Sequence, residues 1–244
     1  VVLIVLGLAA LATQRGLIGL ARIQIVDNLA LDLSFAGDQS IGSLASALVG
    51  ADIRAVVAIA IAGGLLFWIF KDARYRHQYR QIATGITIGL VIAFGWLATV
   101  TLAEHAFAPV QIEAGSFVVP VGDLLLQLIT FTGSLPDYGV GLIAGTLVGA
   151  AIGAWHKDDT RWEACDDARE LGRHLLGGVL MGVGGVFALG CTIGQGVTAV
   201  STLAISAPIV IVSIGVGARM GLAWLLEGSP LAPFRRAHSG APAE

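Results

Sequence analysis

Charge is scarce in this chain. Asp, Glu, Lys and Arg supply 13% of its 244 residues, about half the share of an ordinary soluble domain, and this excludes a fold that presents its surface to water. Basic residues are not in excess either: the formal net charge of −3 excludes a basic nucleic-acid-binding surface, and the surplus of acid is too small to collect cations. Cysteine is limited to Cys165 and Cys191, which excludes a multi-disulfide framework. One lies in a charged loop and the other in a glycine-rich apolar stretch, so the two are not expected to pair. Cys191 has no His or carboxylate at ligand spacing, so no metal is expected there, and no cofactor is called for. The chain also lacks an initiator Met and the basic n-region and cleavage pattern of a signal peptide. It begins Val-Val-Leu-Ile inside an apolar run and reads as N-terminally incomplete.

Apolar residues are abundant, at 56% of the chain, with a mean hydropathy of +0.83. Runs at 55–70, 82–103 and 208–226, the last interrupted only by Arg219, approach or reach the roughly 20 residues that a spanning helix needs. Hydrocarbon offers backbone groups no partners, so runs of this length imply helices. The expected fold is an all-α polytopic membrane protein over residues 1–227, with six or seven embedded segments and a disordered tail at 228–244. The 33 glycines point to closely packed helices.

Basic residues orient the chain. Lys71, Arg74, Arg76 and Arg80 follow the first long run, so that loop reads as cytoplasmic. Residues 104–113 carry Glu104, His105 and Glu113 without Lys or Arg, as suits the outer face. Residues 156–174, with Lys157, Arg161, Arg169 and Arg173, read as cytoplasmic again. Residues 24–52 read as a loop with a short surface helix. At 116–123, Ser-Phe-Val-Val-Pro-Val-Gly-Asp breaks an apolar run that resumes at 124–131 over too few residues to cross. A half-helix entering a cavity is expected there, with Asp123 as a residue of that half-helix or of a turn rather than of the site, since an acid repels an anion. In the run 138–155, Gly141, Gly145, Gly149 and Gly153 recur every fourth residue and form a ridge on which a neighbouring helix is expected.

The richest stretch is 177–196, which ends Gly190-Cys191-Thr192-Ile193-Gly194-Gln195-Gly196. Three glycines in seven residues invite unwound backbone. At membrane depth such backbone is tolerated only where it is buried in protein or lines a wet cavity, so the break predicts a substrate path. The half-helix after it would aim free N–H groups at that path and favour an anion. Cys191 offers a soft, polarizable, weakly donating thiol; the plainer alternative is a small buried hydrophobe. Arg219, inside the last run, is a candidate to hold an anion or pair with a carboxylate, against the alternatives of snorkelling to the interface or locking two helices.

Thr130-Phe-Thr-Gly133, Trp162-Glu163, Arg173 to Gly185 and Gly190-Cys-Thr-Ile-Gly-Gln-Gly196 resemble the second half of a YeeE/YedE-family sulfur transporter, and 116–123 resembles that family's earlier half-helix. The resemblance is specific from about Arg54 to Gly221. It implies a pseudo-symmetric bundle with re-entrant or broken half-helices in a bacterial inner membrane. It also implies uptake of thiosulfate or a related sulfur anion, relayed past cysteines, with the motif cysteine at Cys191. The substrate path would comprise Gly190, Cys191, Thr192, Gly194, Gln195, Gly196 and Arg219. The family's N-terminal cysteine motifs have no counterpart here. The resemblance also points to a small TusA-like sulfur carrier as a cytoplasmic partner, with 71–80 a candidate docking loop against the plainer alternative of a solvated positive-inside loop. Two other functions fit the same residues: a membrane sulfurtransferase or thiol oxidoreductase with Cys191 as nucleophile, and a non-transporting subunit that docks the carrier.

Overall fold

The structure is a computed structural model that describes residues 1–25, 38–106, 111–130, 137–158, 160 and 167–228. Helices α1 (Val2–Gln14) and α2 (Leu17–Ile25) meet at a 48° bend. They are followed by α3 (Ile41–Val49), α4 (Arg54–Lys71), the single turn α5 (Ala73–Arg76), α6 (Tyr79–His105), α7 (Val118–Ile129), α8 (Tyr138–His156) and α9 (Ala168–Phe187). A π-helical segment (Gly194–Ala199) and α10 (Ser206–Glu227) complete the order. Among the described residues there is no strand, only an isolated bridge between Ser40 and Ala204.

The protein is an all-α polytopic membrane protein. Helices α4, α6, α8 and α10 are long and apolar enough to cross a bilayer, and the bent α1–α2 pair makes a fifth candidate. The expectation of six or seven embedded segments counts the shorter α7 and the more polar α9 as well. Helix α4 buries none of its residues, and Phe67 and Trp68 stand about three-quarters exposed. Side chains of this kind belong in lipid.

Helix α1 lies between α7 and α9, and the core forms where Ala10, Val118 and Val186 meet. Close approach depends on small residues. A Cβ on Gly182 would fall 2.6 Å from the carbonyl oxygen of Leu6 and 2.8 Å from the Cβ of Ala9, and one on Gly7 would meet Leu125 and Val121. The expected glycine ridge on α8 differs. Among the described residues nothing lies within 4 Å of a Cβ placed at Gly141, Gly145, Gly149 or Gly153, so the close contacts made through glycine lie elsewhere, at Gly7, Gly178 and Gly182 around α1, at Gly139 against Pro120 and at Gly185 against Val118. Four-residue spacing sets a face, but which face meets a neighbour is decided by tertiary packing. Gly182→Val should therefore force α1 and α9 apart at a cost of about 1–3 kcal/mol, read as lower yield and melting temperature in detergent. Gly149→Val should melt with the wild type, and equal losses in both would contradict this packing.

Two element boundaries differ from the sequence reading. Helix α7 starts at Val118 and carries Pro120 in its first turn, where no intrahelical N–H is lost. Asp123 sits within this short helix, the first of the two places expected for it, and its carboxylate accepts a 3.0 Å bond from Arg15 at the end of α1. Helix α9 begins at Ala168, inside the charged stretch read as loop, because its first turns project Arg169, Glu170 and Arg173 outward. The short helix expected within 24–52 is α3, capped by Ser40, whose hydroxyl accepts from the Ser43 N–H, and closed by Gly50 at φ +74°. The backbone of 39–41 also pairs with 203–205: the Ile41 N–H donates to Leu203 and the Ile205 N–H to Gln39. The 229–244 tail, Cys165, Trp162 and part of the 156–174 loop lie outside the described residues.

Candidate functional site

Helix α9 stops where its sequence turns to Leu-Gly-Cys. Leu189 has φ +56° and Gly190 φ +154°, backbone angles that end the helical ladder; at Gly190 they favour a residue without a Cβ. The chain then restarts at Cys191. Its carbonyl accepts from the Gln195 N–H at 2.8 Å and its Sγ from the Gly194 N–H at 3.4 Å. Cys191 therefore caps a new half-helix in the manner of an N-cap serine, with the sulfur among its first free N–H groups. The thiol is half-buried against the Ala10, Val118 and Val186 cluster. From Gly194 the backbone continues as a π-helix, a form that recurs at functional sites.

A second irregular segment, 111–117 between α6 and α7, meets this break. The Thr198 hydroxyl donates to the Gly115 carbonyl at 2.7 Å and lies 3.1 Å from the Gly115 N–H, which donates to it. A Cβ at Gly115 would strike Ile92, and Gly194 approaches Ser116. Thr99 anchors the same segment through a 2.9 Å bond to the Glu113 carbonyl, and the Trp96 indole N–H donates to Ser201. Thr198→Val removes both bonds to Gly115 at constant shape and strands two backbone groups. It should cost about 1–3 kcal/mol, measurable as a lower melting temperature; an unchanged melting temperature would show that the two segments are held by packing alone.

Three cavities surround the break. Two are apolar, of about 340 and 720 Å³, and both reach Cys191 and Thr192; the larger also reaches α10 at Ser213 and Gly217. The third, about 350 Å³, is polar, with Gln14, Arg22, Glu113, Gln195 and Thr198 in its walls. Gly190 borders both the polar cavity and the larger apolar one, so the unwound loop is the partition between them. Gln195 is 4% exposed; its Nε2 donates to the Ala188 carbonyl at 2.7 Å, and its buried Oε1 has no partner. Burial, then the neighbouring Asp137 and Asp123, push the Glu113 carboxyl above its ordinary range, opposed by an N–H of Gly139.

The structure thus brings Gly190, Cys191, Thr192, Gly194 and Gln195 together at one partition. Gly196 follows in the π-helix beside open space, and Arg219 is exposed on α10, outside these three cavities. The cation in the polar wall is Arg22 instead. The sequence reading missed Arg22, Glu113 and Thr198 as site residues. The only hint was the Gly-Ser pair at 115–116 ahead of an apolar half-helix, the same small-polar signature as the break at 190.

A family described as sulphur transport matches residues 1–220. The chain belongs to that sulphur transport family. The match takes in residues 1–53 as well, ahead of the stretch from Arg54 in which the resemblance is specific. Among curated proteins, the thiosulfate transporter TsuA of Escherichia coli (strain K12) is 31% identical over 122 residues, half of this chain and 32% of the relative. The chain thus aligns with about a third of that relative's length. Family membership gives the break at Cys191 its context as part of a sulphur transport fold.

Proposed function

We propose that this protein is a membrane permease for thiosulfate or a related small sulfur anion, and that the ion crosses the partition at Gly190–Gln195 past Cys191. The observation that supports this most is the Cys191 sulfur at the N-terminus of a half-helix, with a polar cavity on one side of the loop and apolar cavities on the other. Free N–H groups there favour negative charge. The soft thiol gives a sulfur ion a weak contact that it can leave again, as conduction requires. The names of the family and of the E. coli relative support the same substrate class. The membrane is the bacterial inner membrane, with the basic 71–80 loop facing the cytoplasm. A TusA-like carrier docking on that loop would receive the sulfur, as an accessory and not a requirement.

Reconstitution tests the reading. Liposomes holding the purified chain should accumulate labelled thiosulfate without any carrier protein, and excess unlabelled thiosulfate should compete more strongly than sulfate. Uptake that appears only when the carrier is added would instead favour a docking subunit.

A further inference from the structure

The polar cavity poses a question of hydrogen-bond balance. A sulfur oxyanion brings acceptors only, and Arg22, Thr198 and the loop N–H groups are donors suited to it. Yet the same wall includes the Oε1 atoms of Gln14 and Gln195, both buried without a partner among the described residues, and Glu113, whose carboxyl lies against Gly139 at the start of α8. Buried acceptors are costly unless a donor meets them, so something that donates must share the cavity with the anion. Its volume of about 350 Å³ holds a small ion together with water.

Glu113 is the one acidic residue in that wall among the described residues. Its carboxyl is half-buried and accepts an N–H of Gly139, while Asp137 and Tyr138 face it from the start of α8 and Asp123, the partner of Arg15, faces it from α7. Arg22 lines the same cavity from α2. The Glu113 carbonyl is tied to Thr99, six residues before the end of α6, or about 9 Å along the helix. With the 71–80 loop inside, that end is the outer one.

We propose that Glu113 is a proton-binding site coupled to the anion, so that the protein is a proton symporter; the proposal rests on the permease reading above. The carboxylate takes a proton from external water and becomes a donor. The anion enters beside a neutral group, and both leave to the inner side, where the carboxyl returns its proton to water. The need for such a partner is physical. Each negative charge carried into a cell against 100 mV lowers the attainable accumulation about fiftyfold, and one proton per dianion cancels one such factor.

The test uses liposomes of the full chain with an internal pH dye and labelled thiosulfate outside. Wild-type uptake should acidify the lumen, and an imposed acidic exterior should raise accumulation. Glu113→Gln should lose acidification and the response to the gradient. Glu113→Asp, which keeps a carboxyl, should retain both. Uptake without acidification in the wild type overturns the symport, and acidification that survives in Glu113→Gln overturns the assignment to Glu113. No uptake in any arm overturns the permease reading itself.

Discussion

Cys191→Ala should abolish thiosulfate uptake while the protein purifies and melts much as the wild type does. The thiol is half-buried against the Ala10, Val118 and Val186 cluster, and trimming it to a methyl removes only a small apolar volume, worth about 1 kcal/mol. The functional loss has a different origin. The sulfur stands among the free N–H groups of the half-helix and borders both apolar cavities, so removing it leaves the ion no soft contact after it sheds water. Cys191→Ser separates this from simple capping. A serine hydroxyl accepts from the Gly194 N–H at least as well as sulfur does, so the loop stays formed, but a hard, strongly hydrated group replaces a soft one. Uptake should fall at least tenfold in both variants, measured as initial rates in liposomes. A Cys191→Ser protein with wild-type rates would reduce the thiol to a helix cap.

The second large effect belongs to Gly190. Its φ of +154° is poorly open to a residue with a Cβ, and holding one there costs roughly 1–3 kcal/mol. The loop would relieve that strain by moving, which displaces Cys191 and the partition together. Gly190→Ala should therefore reduce uptake roughly tenfold or more. Gly196→Ala should cost much less, because nothing lies within 4 Å of the new Cβ and the backbone there is helical. Equal uptake by the two variants would show that the loop does not depend on the backbone angle at 190.

Much of this architecture is written locally in the chain. The four long helices fall within a few residues of the apolar runs that announce them, since hydrocarbon thickness sets their length. The break after α9 is equally local, because Gly190, Gly194 and Gly196 sit together in seven residues. Less legible was whatever depends on which surfaces meet. Among the described residues the four evenly spaced glycines of α8 lie in open space, while Gly7, Gly178 and Gly182 hold α1 against its neighbours. Arg219 drew attention as a charge in an apolar run, yet it is exposed and lines none of these cavities, whereas Arg22, in a less apolar stretch, lines one. Glu113 read as an outer-loop acid because the return of 111–117 toward Thr198 leaves no trace in hydropathy. The bonds that clasp Gly115 to Thr198 join residues 83 apart, a distance over which no periodicity speaks.

The claim that the sulfur anion passes directly beside Cys191 is tested most directly by substrate protection. A membrane-permeant maleimide should alkylate Cys191, followed by mass spectrometry of its peptide, at a rate that falls as thiosulfate is raised and is unaffected by equal sulfate. Alkylation at one rate with and without saturating thiosulfate, in protein that is taking up the ion, would contradict the account.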